Sequence, residues 1–297
     1  MSGPRVTEID DALLRDWPLP ETDDDANKED RGRVLVIAGS REVPGAAVLA
    51  AEAALRAGAG KLVVAAPSSI WMLVAQALPE ARVIALPESA RGGPTLEGLG
   101  LLHGLARRTA AVLVGPGMME AETTAAFVRG LLPLFGSSRV VLDAAAMDAV
   151  AMLGVLERPV LLTPHAGEMA HLSGRAREAV EAQPLDVARE HARRWGAVVA
   201  LKGATTCIAD AQGRAWRHQG GTSGLATSGS GDVLAGIAAG LAARGASLEQ
   251  AAVWAVALHA RAGELLARQV GPLGFLAREL AAKVPGLMHE IARGPQG

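Results

Sequence analysis

Three features of this sequence predict an α/β fold built on a mostly parallel sheet. Short apolar runs alternate with helix-period segments along almost the whole chain. The runs are continuous rather than alternating polar and apolar, as expected of strands buried on both faces. The residues that directly follow several runs are glycines, acids, a histidine and a lysine, and in an open parallel sheet that edge is where ligands bind.

The first predicted element is an amphipathic helix over 7–16, closed by Pro18 and Pro20. Residues 21–31 are acidic and read as a solvated surface loop. A strand at 33–38 (RVLVIA) follows, then a glycine-bounded loop over 39–45 and an Ala-rich helix over 46–58. Strands at 61–66 and 82–86 flank a helix over 68–78, with Ser68 or Ser69 as its cap. A helix over 96–107 leads to a strand at 110–114 that runs into Gly115-Pro116-Gly117. A helix over 122–134 precedes a strand at 139–142 ending at Asp143, and 147–153 is helical. The run 159–162 ends at Thr163-Pro164-His165. A helix over 184–195 carries proline in its first turn, and the strand 197–201 ends at Lys202-Gly203. Residues 206–209 and 214–218 form a hairpin. Three helices, 233–244, 248–269 and 275–289, complete the chain, with Ser247 and Gln250 as a capping box for the second. No linker or repeat interrupts the pattern, so one domain is expected.

Composition narrows the function. Half of the 297 residues are hydrophobic and 3% are aromatic, so the core is built from Ala, Val, Leu and Ile. A net charge of −2 with mixed signs leaves no footprint for nucleic acid. The single cysteine, Cys207, excludes an internal disulfide and a Cys-based zinc site and fits a reducing compartment. The N-terminus lacks an apolar signal core, and the most apolar segments are broken by charge, so no membrane partner and a cytoplasmic location are expected.

The chemistry concentrates in residues 220–237, GGTSGLATSGSGDVLAGI. Small residues let backbone N–H groups converge on one point, and a helix starting near Gly231 directs its first N–H groups and positive dipole end there. That combination binds anions. Asp232 caps this helix or takes a proton from a hydroxyl held beside the anion, and the absence of any bulky polar residue ahead of it favours the second role. At the other strand ends, single residues leave alternatives open. Asp143 can cap the next helix or face the site. His165 can be a loop histidine, with Glu168 as its partner or as a helix-terminal acid. Lys202 stands where a phosphate cation would, although a strand-end lysine is usually solvated. The remaining histidines, His259 among them, show no metal-ligand spacing. No G-x-S-x-G elbow is present, which argues against a serine hydrolase.

Taken in order, Gly39-Ser40 with Gly45-Ala46-Ala47, Gly115-Pro116-Gly117, Leu142-Asp143-Ala144, Thr163-Pro164-His165-Ala166-Gly167-Glu168, Lys202-Gly203-Ala204-Thr205-Thr206 and Gly224 to Gly236 resemble one family. It is the ADP/ATP-dependent NAD(P)H-hydrate dehydratases, a branch of the ribokinase-like fold. The resemblance spans nearly the whole chain from Lys28. It implies a three-layer αβα fold with a mostly parallel central sheet. It also implies a single dehydratase domain over 1–297, in which 1–27 form an N-terminal helix and acidic loop and leave no room for an epimerase domain.

The activity implied is ADP-dependent (or ATP-dependent) dehydration of the S form of hydrated NADH or NADPH, with Mg²⁺ on the nucleotide. Asp232 takes the position of the base, and Gly229, Ser230 and Gly231 that of the anion hole. Lys202, Gly203, Ala204, Thr205 and Thr206, with Gly231, take the adenine-nucleotide positions. Ala46, Gly117 and His165, with Asp232, take the hydrate positions. A homo-oligomer, a tetramer by analogy, is also implied. Thr222 stands where the family often has Asn, Ala145 where it has a second acid, and Ala166 where proline is common. A ribokinase-like kinase of a vitamin-precursor alcohol is the alternative reading.

Overall fold

Ten strands form the frame: β1 Val6–Glu8, β2 Arg33–Ile37, β3 Lys61–Pro67, β4 Arg82–Leu86, β5 Ala111–Val114, β6 Arg139–Leu142, β7 Leu161–Leu162, β8 Val198–Leu201, β9 Thr205–Ala209 and β10 Ala215–Gln219. The structure is a computed structural model, and it describes residues 6–21 and 31–294. The strands join one sheet in the order β1-β10-β9-β8-β7-β6-β5-β2-β3-β4. Every neighbouring pair is parallel except the two made by β9, which runs against β8 and β10.

The continuous apolar runs are explained by helices on both faces. In β2, Val34 and Val36 enter one core while Leu35 and Ile37 enter the other, and all four are buried. The first core packs the Gly45–Arg56, Ser230–Ala243 and Leu248–Gln269 helices; the second packs the Ala121–Leu134 and Pro184–Trp195 helices. Small side chains set the spacing in the first. A Cβ at Gly236 would stand 2.2 Å from the Ala50 carbonyl oxygen, and one at Gly240 2.3 Å from that of Ala54. The two helices therefore meet backbone to backbone, and the Ser230–Ala243 helix lies almost wholly buried with its N-terminus at the carboxyl edge of the sheet.

The chain runs β2 to β4 outward in one direction and returns to the other side of β2 with β5. The loops after β2 and β5 thus flank the point where the strand order reverses, and Gly39 N–H donates to the Pro116 carbonyl across it at 2.8 Å.

Several expected elements differ. Residues 7–16 are not one helix. Val6–Glu8 pair in parallel with β10, and a short helix spans Asp11–Asp16. Asp10 caps that helix, accepting from Leu13 N–H at 2.8 Å, and Glu8 accepts from Arg217 at 2.9 Å. Ser68 and Ser69 do not cap the Trp71–Ala77 helix; both hydroxyls donate to Glu88. Ser247 caps its helix, but the Gln250 side chain reaches the Trp17 and Pro18 carbonyls instead of closing a box. The segment 275–289 divides into Ala277–Ala281 and Val284–Arg293, with Pro285 in the first turn of the second. The helix for which Glu168 is a terminal acid spans Ala166–Ser173, and a further helix spans Arg177–Ala182. The expected acidic loop lies largely outside the described residues. No helix among the described residues is long and apolar enough to cross a membrane.

Candidate active site

The Ser230–Ala243 helix opens the site. Its N-cap, Gly229, has φ +87°, and no side chain caps the helix. Ser230 N–H turns back to the Thr227 carbonyl at 3.2 Å, so the next N–H groups, from Gly231 on, are the ones that can meet an external partner, and the helix dipole adds positive potential at that point. The helix starts at Ser230, one residue before the expected position, and Asp232 lies in its first turn.

Lys202 enters from the end of β8. Its N–H donates to the Pro164 carbonyl at 2.8 Å, which pairs it with His165 and extends the sheet by one bridge. The side chain is not solvated. Only 20% exposed, it places Nζ 3.4 Å from Asp143 Oδ1 and 3.8 Å from Glu168 Oε2. Asp143 Oδ1 also accepts from the Thr163 hydroxyl at 2.7 Å. The two roles open for Asp143 are thereby resolved, since its carboxylate makes no helix cap and holds the lysine. A Cβ at Gly231 would stand 3.3 Å from Lys202 Nζ, so the ammonium lies directly beside the first helical turn.

These charges set the protonation of the site. Burial and the neighbouring Asp143 carboxylate push Asp232 up to about 6; Lys202 opposes the shift and Glu168 adds to it. Burial pulls the Lys202 ammonium down, but Asp143, Glu168 and Asp232 outweigh it and hold the group above its usual value. A carboxylate poised near neutrality beside a fixed cation and an uncapped helix end can accept a proton from a hydroxyl while an anion is held alongside.

His165 is the N-cap of the Ala166–Ser173 helix. Its Nδ1 accepts from the Gly167 and Glu168 N–H groups at 3.0 and 3.2 Å, and its own N–H donates to Glu168 Oε2 at 2.7 Å. Glu168 thus serves the capping box and, more distantly, Lys202. Gly203 and Ala204 are exposed on the turn from β8 to β9, which opens with Thr205, and Thr206 Oγ1 donates to the Gly203 carbonyl at 3.5 Å.

At the strand-order reversal, Ala46 and Gly117 touch. Gly117 has φ +68°, and a Cβ there would stand 2.6 Å from Ala46 Cβ. Leu49, one turn on from Ala46, packs on Gly229, where an added Cβ would lie 2.5 Å from Leu49 Cδ1. The Ala46–Gly117 contact and the glycine loop are thereby locked together. Thr222 accepts from Gly224 N–H at 3.4 Å, and Ala145 lies in a short 3₁₀ turn over Ala144–Met147. Ala144 has φ +47°, rare for a residue with a Cβ and placed immediately after Asp143.

His259, which has no role legible in the sequence, lies beside the start of the Ser230–Ala243 helix. Its Nε2 lies 2.9 Å from Ser230 Oγ and 3.0 Å from the Ser230 carbonyl oxygen. Twenty-nine positions separate the two residues, and no local pattern signals the contact.

The family model described as NAD(P)H-hydrate dehydratase matches residues 34–286. This chain belongs to the NAD(P)H-hydrate dehydratase family. An ADP-dependent (S)-NAD(P)H-hydrate dehydratase of Xanthomonas campestris is 47% identical over 294 residues, which cover 99% of this chain and 100% of that protein. The Bacillus subtilis ADP/ATP-dependent NAD(P)H-hydrate dehydratase, co-crystallised with ATP and Mg²⁺, superposes with a TM-score of 0.85 at 30% identity, covering 97% of this chain and 99% of that one. A ribokinase-like superfamily protein of Enterococcus faecalis gives 0.83 at 27% identity, covering 97% of each. The dehydratase-family fold is thus ribokinase-like, as the sequence motifs imply, and Asp232, Lys202 and the glycine loop all fall inside the matched region.

Proposed function

We propose that this protein catalyses the ADP-dependent dehydration of the S form of NAD(P)H hydrate, restoring NADH or NADPH. The observation that carries the reading is Asp232, a carboxylate raised to about 6 in the first turn of a helix that no side chain caps. Asp232 takes the proton of the ring hydroxyl as its oxygen attacks the terminal phosphorus of ADP. Of the expected anion-hole residues Gly229, Ser230 and Gly231, Ser230 has its N–H on the Thr227 carbonyl at 3.2 Å, so the N–H groups of Gly229 and Gly231 hold the charge that develops on the transferring phosphoryl group. AMP departs, and loss of phosphate with a ring proton then restores the double bond.

Lys202, Gly203, Ala204, Thr205 and Thr206, with Gly231, hold the nucleotide, and Lys202 supplies a point charge for its phosphates. Ala46, Gly117 and His165 line the hydrate pocket. No group of three His, Cys, Asp or Glu side chains among the described residues suits a metal ion, and Asp143 is committed to Lys202 and Thr163. These residues fit Mg²⁺ as an ion carried in on the phosphates, where it neutralises charge, rather than as a resident of a protein cage.

We also propose one domain over 1–297 and a homo-oligomer, tetrameric by analogy. An exposed apolar strip at Trp71, Met72 and Leu73 supports association. The free, buried Cys207 fits the cytoplasm.

Incubation with hydrated NADPH and ADP, followed by dihydronicotinamide absorbance, tests the reading. Absorbance returns with release of AMP and phosphate. A phosphorylated alcohol as the accumulating product, with no recovery of absorbance from hydrate, points to a small-molecule kinase instead.

A further inference from the structure

His259 lies on the Leu248–Gln269 helix, which packs along the Ser230–Ala243 helix. Its Nε2 approaches two oxygens of one residue, the Ser230 carbonyl at 3.0 Å and the Ser230 hydroxyl at 2.9 Å. A carbonyl oxygen only accepts, so Nε2 must carry the ring proton, and the hydroxyl oxygen takes the second branch of the same donor. The tautomer follows from the partners. Loss of solvation keeps the ring neutral, with its pKa lowered to about 4, the Ser230 carbonyl opposing and Lys202 adding to that shift.

The Ser230 carbonyl and the Gly231 N–H belong to one peptide group. That group is planar and trans, so its oxygen and its N–H point in opposite directions. A donor fixed on the oxygen therefore fixes the direction of the Gly231 N–H. It also polarises the amide and strengthens the N–H as a donor. Gly231 adjoins Lys202 Nζ and precedes Asp232.

We propose that His259 is a positioning residue for phosphoryl transfer, clamping the Ser230–Gly231 peptide so that the Gly231 N–H is held toward the transferring group. The inference rests on the anion-hole role given to Gly229 and Gly231. It assigns His259 no contact with substrate. Its effect belongs to the transition state, in which the phosphoryl oxygens carry most charge, rather than to ground-state binding of the nucleotide.

His259→Leu removes the donor, and His259→Gln restores an N–H at nearly the Nε2 position. Steady-state kinetics with ADP and hydrated NADPH are read beside the Kd for ADP and the melting temperature. The expected result for His259→Leu is a kcat lower by about 10- to 100-fold with the ADP Kd within about threefold, and for His259→Gln a recovery to within about fivefold of wild type. If the leucine protein does not fold, His259→Phe keeps the ring volume without the donor and carries the same comparison. A kcat within about threefold of wild type in the donorless variant overturns the proposal, as does equal loss in the donorless and Gln variants. Wild-type and Asp232→Asn controls separate this from the reading beneath it. A wild type without hydrate turnover defeats the function itself, whereas an active wild type, a dead Asp232→Asn and an unaffected His259→Leu defeat the clamp alone.

Discussion

Lys202 Nζ and Asp143 Oδ1 lie 3.4 Å apart, and the side chains that carry them are 20% and 5% exposed. One comes from the end of β8 and the other from the end of β6, on either side of β7, whose own extension contributes Thr163 to the same carboxylate. Breaking a pair this buried leaves an uncompensated charge, so Asp143→Ala is expected to cost about 3 kcal/mol of stability and to loosen the lysine. Denaturant unfolding measures the first effect, and the ADP Kd, rising by about tenfold or more, measures the second.

Removing the lysine instead acts on the base. Lys202 opposes the upward shift of Asp232, whereas Asp143 and Glu168 promote it. In Lys202→Met the carboxylates lose their counter-charge, and the Asp232 pKa moves higher still. The acid limb of the kcat/KM profile, near pH 6 in the wild type, is expected to move toward neutrality while ADP binding weakens. An acid limb that stays in place would show that Lys202 does not tune Asp232.

Asp232 itself carries a stability cost. Below about pH 4 its carboxyl is protonated in both the folded and unfolded chain and makes no difference. Between about 4 and 6 the unfolded chain ionises while the folded chain still favours the proton, and above 6 the folded chain carries the ionised form at a penalty. Asp232→Asn is therefore expected to be more stable than wild type at pH 7.5 by roughly 1–3 kcal/mol, with the gain fading as pH falls to 4. Unfolding curves at several pH values read the difference.

Gly231→Ala and Gly117→Ala separate binding from folding. At Gly231 the new Cβ meets only the end of a flexible lysine, 3.3 Å away, in ordinary helical backbone. Stability is expected to hold or rise slightly while ADP affinity falls as Lys202 is displaced. At Gly117 the new Cβ meets Ala46 Cβ at 2.6 Å and the Val43 carbonyl oxygen at 2.8 Å, with φ at +68°. A loss of about 1–3 kcal/mol and a raised KM for hydrate are expected there. Calorimetric melting beside ADP titration distinguishes the two.

Much of the frame was readable in the sequence because both faces of the sheet are covered, so that β2, β3 and β5 show as unbroken apolar runs. The glycine stretch and Asp232 were readable because a helix end that binds anions has a local composition. What escaped reading depends on contacts distant in the chain. Lys202 reads alone as either a phosphate cation or a solvated strand-end lysine, and its burial shows only when the fold brings Asp143, 59 positions away, against it. Strand β1 forms only because β10, with Arg217 209 positions from Glu8, offers it a partner. The Ala166–Ser173 helix carried a signal in Glu168 at its third position, but its cap is an imidazole nitrogen of His165 rather than a hydroxyl or carboxylate.

The central claim is that Asp232 serves as the base in ADP-driven dehydration of hydrated NAD(P)H, and its most direct test compares wild type with Asp232→Asn. Both are incubated with hydrated NADPH and ADP, dihydronicotinamide absorbance is followed, and the ADP Kd is measured separately. Recovery by the wild type, a rate lower by at least about 10³-fold in Asp232→Asn and an ADP Kd within about threefold is the predicted outcome. Recovery at an undiminished rate in Asp232→Asn, or none in the wild type with either ADP or ATP, would contradict it.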